Sequence, residues 1–163
     1  MSLSSSARLH GGFSTLDNLT KQQRNRTMRA VRSTDTSPEL LVRRLIFSLG
    51  YRYRLHGRKL PGCPDILFPA QRKVIFVHGC FWHGHACASG KNRPKTNVSY
   101  WEQKLARTRA RDEQNRVRLA ALKWRILILW ECELRKTSRL RRRITRFLQS
   151  THLKGPSLSI GPE

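Results

Sequence analysis

Two short, uninterrupted apolar runs, VIFV at 74–77 and ILILW at 126–130, constrain the fold of this chain more than any other feature. Each has the length of a strand and is rich in β-branched residues. Neither alternates with polar positions, so each reads as a strand covered on both faces. Between them, residues 99–122 contain neither Gly nor Pro, and Trp101, Leu105, Val117, Leu119 and Leu122 are interleaved with basic side chains. That stretch predicts one long helix. Strand, long helix and strand make a crossover, which demands parallel pairing and helices on the faces of the sheet.

The remaining elements fit around this unit. Ser37, Pro38 and Glu39 read as the cap, first-turn proline and first-turn carboxylate of a helix over 38–49, with Leu40, Leu41, Leu45, Ile46 and Leu49 at helical spacing and Gly50 as the stop. Tyr51, Tyr53 and Leu55 alternate with Arg52 and Arg54, predicting a half-exposed strand. After the turn sequence LPGCP, the runs 65–68 and 73–78 predict a hairpin. Residues 137–149 close the pattern with Leu140, Ile144, Phe147 and Leu148 on one helical face. The order is α-β-β-β-α-β-α, an α/β fold with a mixed central sheet flanked by helices. Residues 1–20 and 151–163 read as tails around one domain over 21–150.

Thirty-three Lys and Arg against ten Asp and Glu leave a net charge of +23, which points to a polyanionic partner and above all to nucleic acid. Lys104, Arg107, Arg109, Arg111, Arg116 and Arg118 crowd one stretch, and seven further basic residues lie within 135–146. Runs of one sign at this density read as phosphate contacts, which position a duplex without reading its bases. No apolar stretch approaches the roughly 20 residues that span a bilayer, and the N-terminus lacks the apolar region of a secretory signal. The expectation is a soluble, intracellular protein in which Cys63, Cys80, Cys87 and Cys132 serve metal binding or burial rather than disulfides.

The densest reactive segment is HGCFWHGHAC at 78–87, where the second apolar strand ends. Cys80, His85 and Cys87 form a C-x4-H-x-C cluster, and Cys132 follows the strand at 125–130. Together they make a Cys3His set of the kind that closes a structural zinc site, the alternative being cysteines buried as small hydrophobes. His78 and His83 are left over, and Asp65 opens a neighbouring strand. A carboxylate and imidazoles at adjacent strand ends can hold a hard metal, activate water and protonate a leaving oxygen, and in so basic a chain the target is a phosphodiester. Asp65 as a simple turn residue is the competing account. Phe81 and Trp82 are expected as an exposed aromatic pair that wedges between base pairs, or as a cover for the zinc. Cys63 is spare.

The strings TMRAVRSTDTSPE, LPGCPDILF, VIFVHGCFWHGHAC and RILILWECEL, in this order over about residues 20–150, resemble the very-short-patch mismatch-repair endonucleases of the Vsr type. The resemblance implies a restriction-endonuclease-like core, catalytic Mg2+, structural Zn2+, and nicking on the 5′ side of the thymine in a T:G mismatch left by 5-methylcytosine deamination. It assigns Asp65 and the backbone carbonyl of Val77 to magnesium, His83 to activation of water, and His78 and Glu39 to the active site. It assigns Cys80, His85, Cys87 and Cys132 to zinc, Asp112 to the DNA-binding face, and Met28, Phe81 and Trp82 to intercalation. Phe76, Val77 and His78 stand where the wider nuclease fold carries an E-x-K element, so the lysine role is either absent or taken by histidine. The family also implies a monomer in the bacterial cytoplasm, associated with the nucleoid and with mismatch-repair proteins as candidate partners. A less selective restriction-type nuclease and an inactive zinc-stabilised DNA-binding module are the rival readings.

Overall fold

The computed structural model describes residues 20, 22–23, 34–92 and 94–150. Helix α1 (Ser37–Ser48) is followed by strands β1 (Arg54–Leu55), β2 (Ile66–Phe68) and β3 (Lys73–His78), a short helix α2 (Ala88–Lys91), the long helix α3 (Val98–Ala121), strand β4 (Arg125–Trp130) and helix α4 (Thr137–Gln149). The four strands form one mixed sheet in the order β1-β2-β3-β4. β1 with β2 and β2 with β3 are antiparallel, while β3 and β4 are parallel across the α3 crossover. This is the expected restriction-endonuclease-like α/β core. Among the described residues, no helix is long and apolar enough to cross a membrane.

One core cluster packs Val42, Leu45 and Ile46 of α1 and Leu140, Ile144 and Leu148 of α4 against Ile66, Ile75, Leu127 and Leu129 of the sheet. A second lies on the other face, where Leu119 of α3 meets Leu67 and Val74, with Phe76 and Ile126 packed against them. Alternate residues of β3 and β4 therefore serve opposite layers. The apolar runs are continuous because both faces are covered. β4 is an edge strand among the described residues, so its cover is incomplete and only Leu127 and Leu129 are buried along it.

Several expectations shift. Thr36, not Ser37, caps α1: its backbone is extended and its side chain accepts from the Glu39 backbone N–H. One step of register also turns Leu40 and Leu41 outward and Val42 inward. Only Arg54–Leu55 of the 51–55 segment pairs as strand, since Tyr51 and Tyr53 pack on the core instead of alternating along a ladder. On α3, Trp101, Leu105 and Leu119 are buried while Val117 and Leu122 are exposed. The strand at 125–130 and the helix at 137–149 stand at the expected bounds. The tails expected at 1–20 and 151–163 lie outside the described residues except for Thr20, and so does Met28.

Candidate active site and metal centre

The parallel register of β3 and β4 builds the site. It pairs His78 with Trp130 at the last rung, so the chain segments leaving both strands start side by side. Two residues farther on, Cys80 and Cys132 meet, with the Cys132 backbone N–H 3.4 Å from Cys80 Sγ. The 3-10 turn Glu131–Glu133 after β4 holds Cys132 there. On the β3 side the loop folds back until Cys132 Sγ lies 3.5 Å from His85 Nδ1. Helix α2 then begins with Cys87 as its cap, and the Gly90 N–H reaches Cys87 Sγ at 3.4 Å. Only glycine fits at position 90, because an added Cβ would meet the His85 carbonyl oxygen at 2.0 Å.

The donor atoms of Cys80, His85, Cys87 and Cys132 all lie within 4.8 Å of one another. Three sulfurs and one imidazole nitrogen at that separation suit a tetrahedral zinc ion. Electrostatics agree with the need for a cation. Burial pushes the Cys80 thiol up to about 12 and also raises Cys132, whereas His85, with the Gly90 N–H, draws Cys87 down to about 6. Thiolates at the buried positions therefore require a positive charge beside them.

Next to this cluster a cleft of about 650 Å³ is lined by Glu39, His56, Asp65, Val77, His78, His83, Asp112 and Asn115, among others. Asp65 immediately precedes β2, whose register sets Ile66 opposite Ile75. That pairing brings the Asp65 carboxylate to β3, where Oδ2 accepts from the Val77 N–H at 2.8 Å. Its Oδ1 accepts no hydrogen bond among the described residues. Burial raises its pKa to about 6, and the nearby Glu39 carboxylate adds to the shift against the opposing Val77 bond. A half-desolvated carboxylate with one free oxygen fits a hard cation such as magnesium.

Glu39 is differently placed. It is buried, and its Oε2 accepts from Arg43 Nη2 at 2.9 Å and from the Asp35 N–H at 3.0 Å, while Oε1 takes the Thr36 hydroxyl at 2.9 Å. Both oxygens are already engaged, so the Arg43 contact fixes the carboxylate at the rim of the cleft.

His78 and His83 stack ring on ring, 3.7 Å between centroids and 7° from coplanar. His83 Nδ1 lies 2.5 Å from Asp112 Oδ2 on α3. A hydrogen bond of this type fixes the tautomer and directs the other ring nitrogen outward as a base. Burial, aided by His83 and opposed by Asp112, holds His78 down at about 4, so it is neutral at pH 7. Asp112 thus sits in one contiguous group with the two stacked histidines.

Phe81 and Trp82 are half-buried instead of fully exposed. They pack with Trp101 of α3: Phe81 to Trp82 at 5.0 Å, Phe81 to Trp101 at 5.5 Å and Trp82 to Trp101 at 6.2 Å between centroids. Lys104 Nζ sits 5.6 Å from the Trp82 ring and 5.1 Å from Trp101. The structure adds three residues that the sequence reading left out of the site. Trp101 looked like an ordinary core position. His56 lines the cleft from the turn after β1. Trp130 stacks on His85 at 4.3 Å and meets His78 edge-on at 5.3 Å, forming the wall between metal cluster and cleft. Its position beside Cys132, at the end of an apolar strand, was the available signal.

A mixed sheet with one parallel crossover, carrying a carboxylate and two stacked histidines at adjacent strand ends, defines a restriction-endonuclease-like nuclease. The family model for the DNA mismatch endonuclease Vsr matches residues 16–89. The chain is 48% identical over 132 residues to the type II nicking enzyme V.XorIIP of Xanthomonas oryzae pv. oryzae, covering 81% of this chain and 96% of that one. It is 36% identical over 133 residues to the type II nicking enzyme V.NmeAIP of Neisseria meningitidis, with coverage of 82% and 94%. With the DNA mismatch endonuclease Vsr of Escherichia coli, identity is 40% over 120 residues, 74% of this chain and 76% of that one. The chain belongs to the Vsr family of DNA mismatch endonucleases, and its substrate is DNA.

Proposed function

We propose that this endonuclease nicks one strand on the 5′ side of the thymine in a T:G mismatch, by magnesium-dependent hydrolysis of a single phosphodiester. The observation that carries the chemistry is the Asp112–His83–His78 stack, set in the same cleft as the free oxygen of Asp65. Asp112 holds the proton on His83 Nδ1, leaving Nε2 to accept a proton from the attacking water. The water oxygen bonds to phosphorus, the bond to the 3′ oxygen breaks, and that oxygen takes a proton, leaving 5′-phosphate and 3′-hydroxyl ends. Asp65 Oδ1 and the Val77 carbonyl would hold magnesium. When bound there, the ion supplies charge neutralisation at the phosphodiester and acidifies water. His78, neutral at pH 7, buttresses His83 without adding a competing positive charge. Glu39, locked by Arg43, contributes negative charge at the rim.

The Cys3His group serves as a structural zinc site that fixes the loop 79–87 on which His83, Phe81 and Trp82 ride. Phe81 and Trp82 act as the wedge at the mismatch, with Met28 assigned to the same task by family resemblance alone. Trp101 and Lys104 brace that wedge from α3. The relatives named nicking enzymes support cleavage of one strand, and the relative from Escherichia coli supports mismatch as the trigger. The family resemblance further implies action in the bacterial cytoplasm at the nucleoid, as a monomer that meets mismatch-repair proteins.

The test is strand-specific cleavage of a labelled duplex with one T:G pair beside its T:A counterpart, in magnesium or in EDTA. One magnesium-dependent nick 5′ of the mispaired thymine is expected. Equal cutting of both duplexes would establish the restriction-type reading, and binding with no cut at any enzyme concentration would establish the inactive module.

A further inference from the structure

The basic residues of α3 and α4 lie in different places. Arg111 and Arg116 of α3 line the cleft, but no cleft-lining residue comes from α4. Helix α4 leaves the site end of the sheet and runs back. Its last turn is tied to the opposite end, with Lys73 Nζ donating to the Leu148 carbonyl at 2.6 Å and Arg125 Nη1 to the Ser150 carbonyl at 2.7 Å. Lys73 and Arg125 are the first residues of β3 and β4, and His78 and Trp130 are the last. Six-residue strands put those ends about 16 Å apart.

From the second turn of α4 to this far end, Arg141, Arg142, Thr145, Arg146, Gln149 and Ser150 line a shallow groove. Arg141, Thr145 and Gln149 form one row at i, i+4 spacing, and Arg142, Arg146 and Ser150 form the next. The three arginines are exposed, and no ion pair among the described residues involves them. Arg143 is the exception on this helix, spent on Glu133 and on the Ile128 carbonyl. No Asp or Glu occurs from 134 to 150.

We propose that this groove is a second duplex-DNA site, which grips the phosphate backbone of a DNA segment other than the one in the cleft. The lining chemistry selects the occupant. Guanidinium, hydroxyl and amide groups are the donors that contact phosphates, whereas a protein partner would need an aromatic or apolar anchor, and the groove offers none. Its length from Arg141 to Ser150, about 14 Å, matches roughly four phosphates of one strand. The inference rests on DNA as the ligand but not on T:G selectivity or on magnesium chemistry.

The experiment measures how many short duplexes without a mismatch the full chain binds at low salt in EDTA, by sedimentation or anisotropy titration. Two per chain are expected for the unaltered protein, one for R141Q/R142Q/R146Q, and two again for R141K/R142K/R146K. One duplex per chain in the unaltered protein, or two in the glutamine variant, overturns the proposal. So does a groove that leaves DNA stoichiometry unchanged yet binds poly-glutamate through these arginines, which would make an acidic protein the partner. Because no cleavage is read in the titration, failure of the T:G reading leaves this outcome separately visible.

Discussion

The two groups of ligating side chains at the end of β3 and β4 share the wall formed by Trp130, yet they are built in opposite ways. The Cys3His group is closed: Cys80 is fully buried, two of its sulfurs accept backbone N–H groups, and a glycine lets α2 press against it. The cleft group is open, uses carboxylate and imidazole, and leaves Asp65 with an unused oxygen beside a space of about 650 Å³. Soft, closed ligation holds a loop in place, whereas hard, open ligation leaves room for a phosphodiester and water. One group is architecture for the other, since the loop closed by the first carries His83 of the second.

This comparison is broken most sharply at Asp65. Asp65→Ala should lower the single-turnover nicking rate at least ~10³-fold, about 4 kcal/mol in barrier, while duplex binding and zinc content stay near normal. A variant that still nicks would remove Asp65 from the chemistry. The pH dependence follows from the same group. Its carboxyl titrates at about 6 in the folded chain, so activity should fall as pH drops through 6 and the limb should move to lower pH as magnesium is raised. A limb indifferent to magnesium would mean that Asp65 is not a ligand. Stability runs the other way. The folded state holds a proton that the unfolded chain has lost between pH 4 and 6, so the metal-free protein loses stability as pH rises through that window. Asp65→Asn should therefore melt higher than the unaltered chain at pH 7, by ~1–2 kcal/mol, while being inactive.

Breaking the closed group should have a different signature. Cys87→Ser should lose zinc and lower the melting temperature by ~10 °C or more, with nicking lost as a consequence of the released loop. Metal content per chain and a thermal melt read both. If zinc stays at one per chain, the Cys3His assignment falls.

How much of this was legible in the sequence depends on the range of the interaction. VIFV and ILILW announced strands because each is an unbroken apolar run of strand length, although along β4 only Leu127 and Leu129 are buried, and the crossover followed from the helix between them. The Cys3His cluster was legible because three of its four side chains fall within eight residues and the fourth follows a strand end. Asp112 is different. Nothing local connects it to His83, and only the packing of α3 across the loop brings the two to 2.5 Å. Trp101 was hidden for the same reason, appearing as one more apolar position on a basic helix. The α1 face was misread by one step because Leu40, Leu41 and Val42 are consecutive and any of them can start the stripe.

Asp112 sharpens the open side of the comparison. Asp112→Asn keeps the size of the side chain but loses the charge that supports an imidazolium, so kcat should fall ~10–100-fold with little change in KM. A change confined to stability would reduce Asp112 to packing.

The smallest effect is expected where the two groups meet the DNA. Trp82 rides on the loop that carries the Cys3His cluster, but its ring is half-buried against Phe81 and Trp101, under Lys104. A wedge that merely projected into solvent would pay the ordering cost on binding, whereas the proposed one is braced beforehand by α3. Trp82→Ala should therefore reduce the preference for mismatched over matched duplex by about tenfold, near 1.4 kcal/mol, with a smaller loss of affinity for matched DNA. Trp101→Leu should reproduce part of that loss without removing a wedge, because the brace alone is weakened. Equal losses on both duplexes in both variants would make the aromatic group a packing layer over the metal cluster. Discrimination would then have to come from the cleft itself.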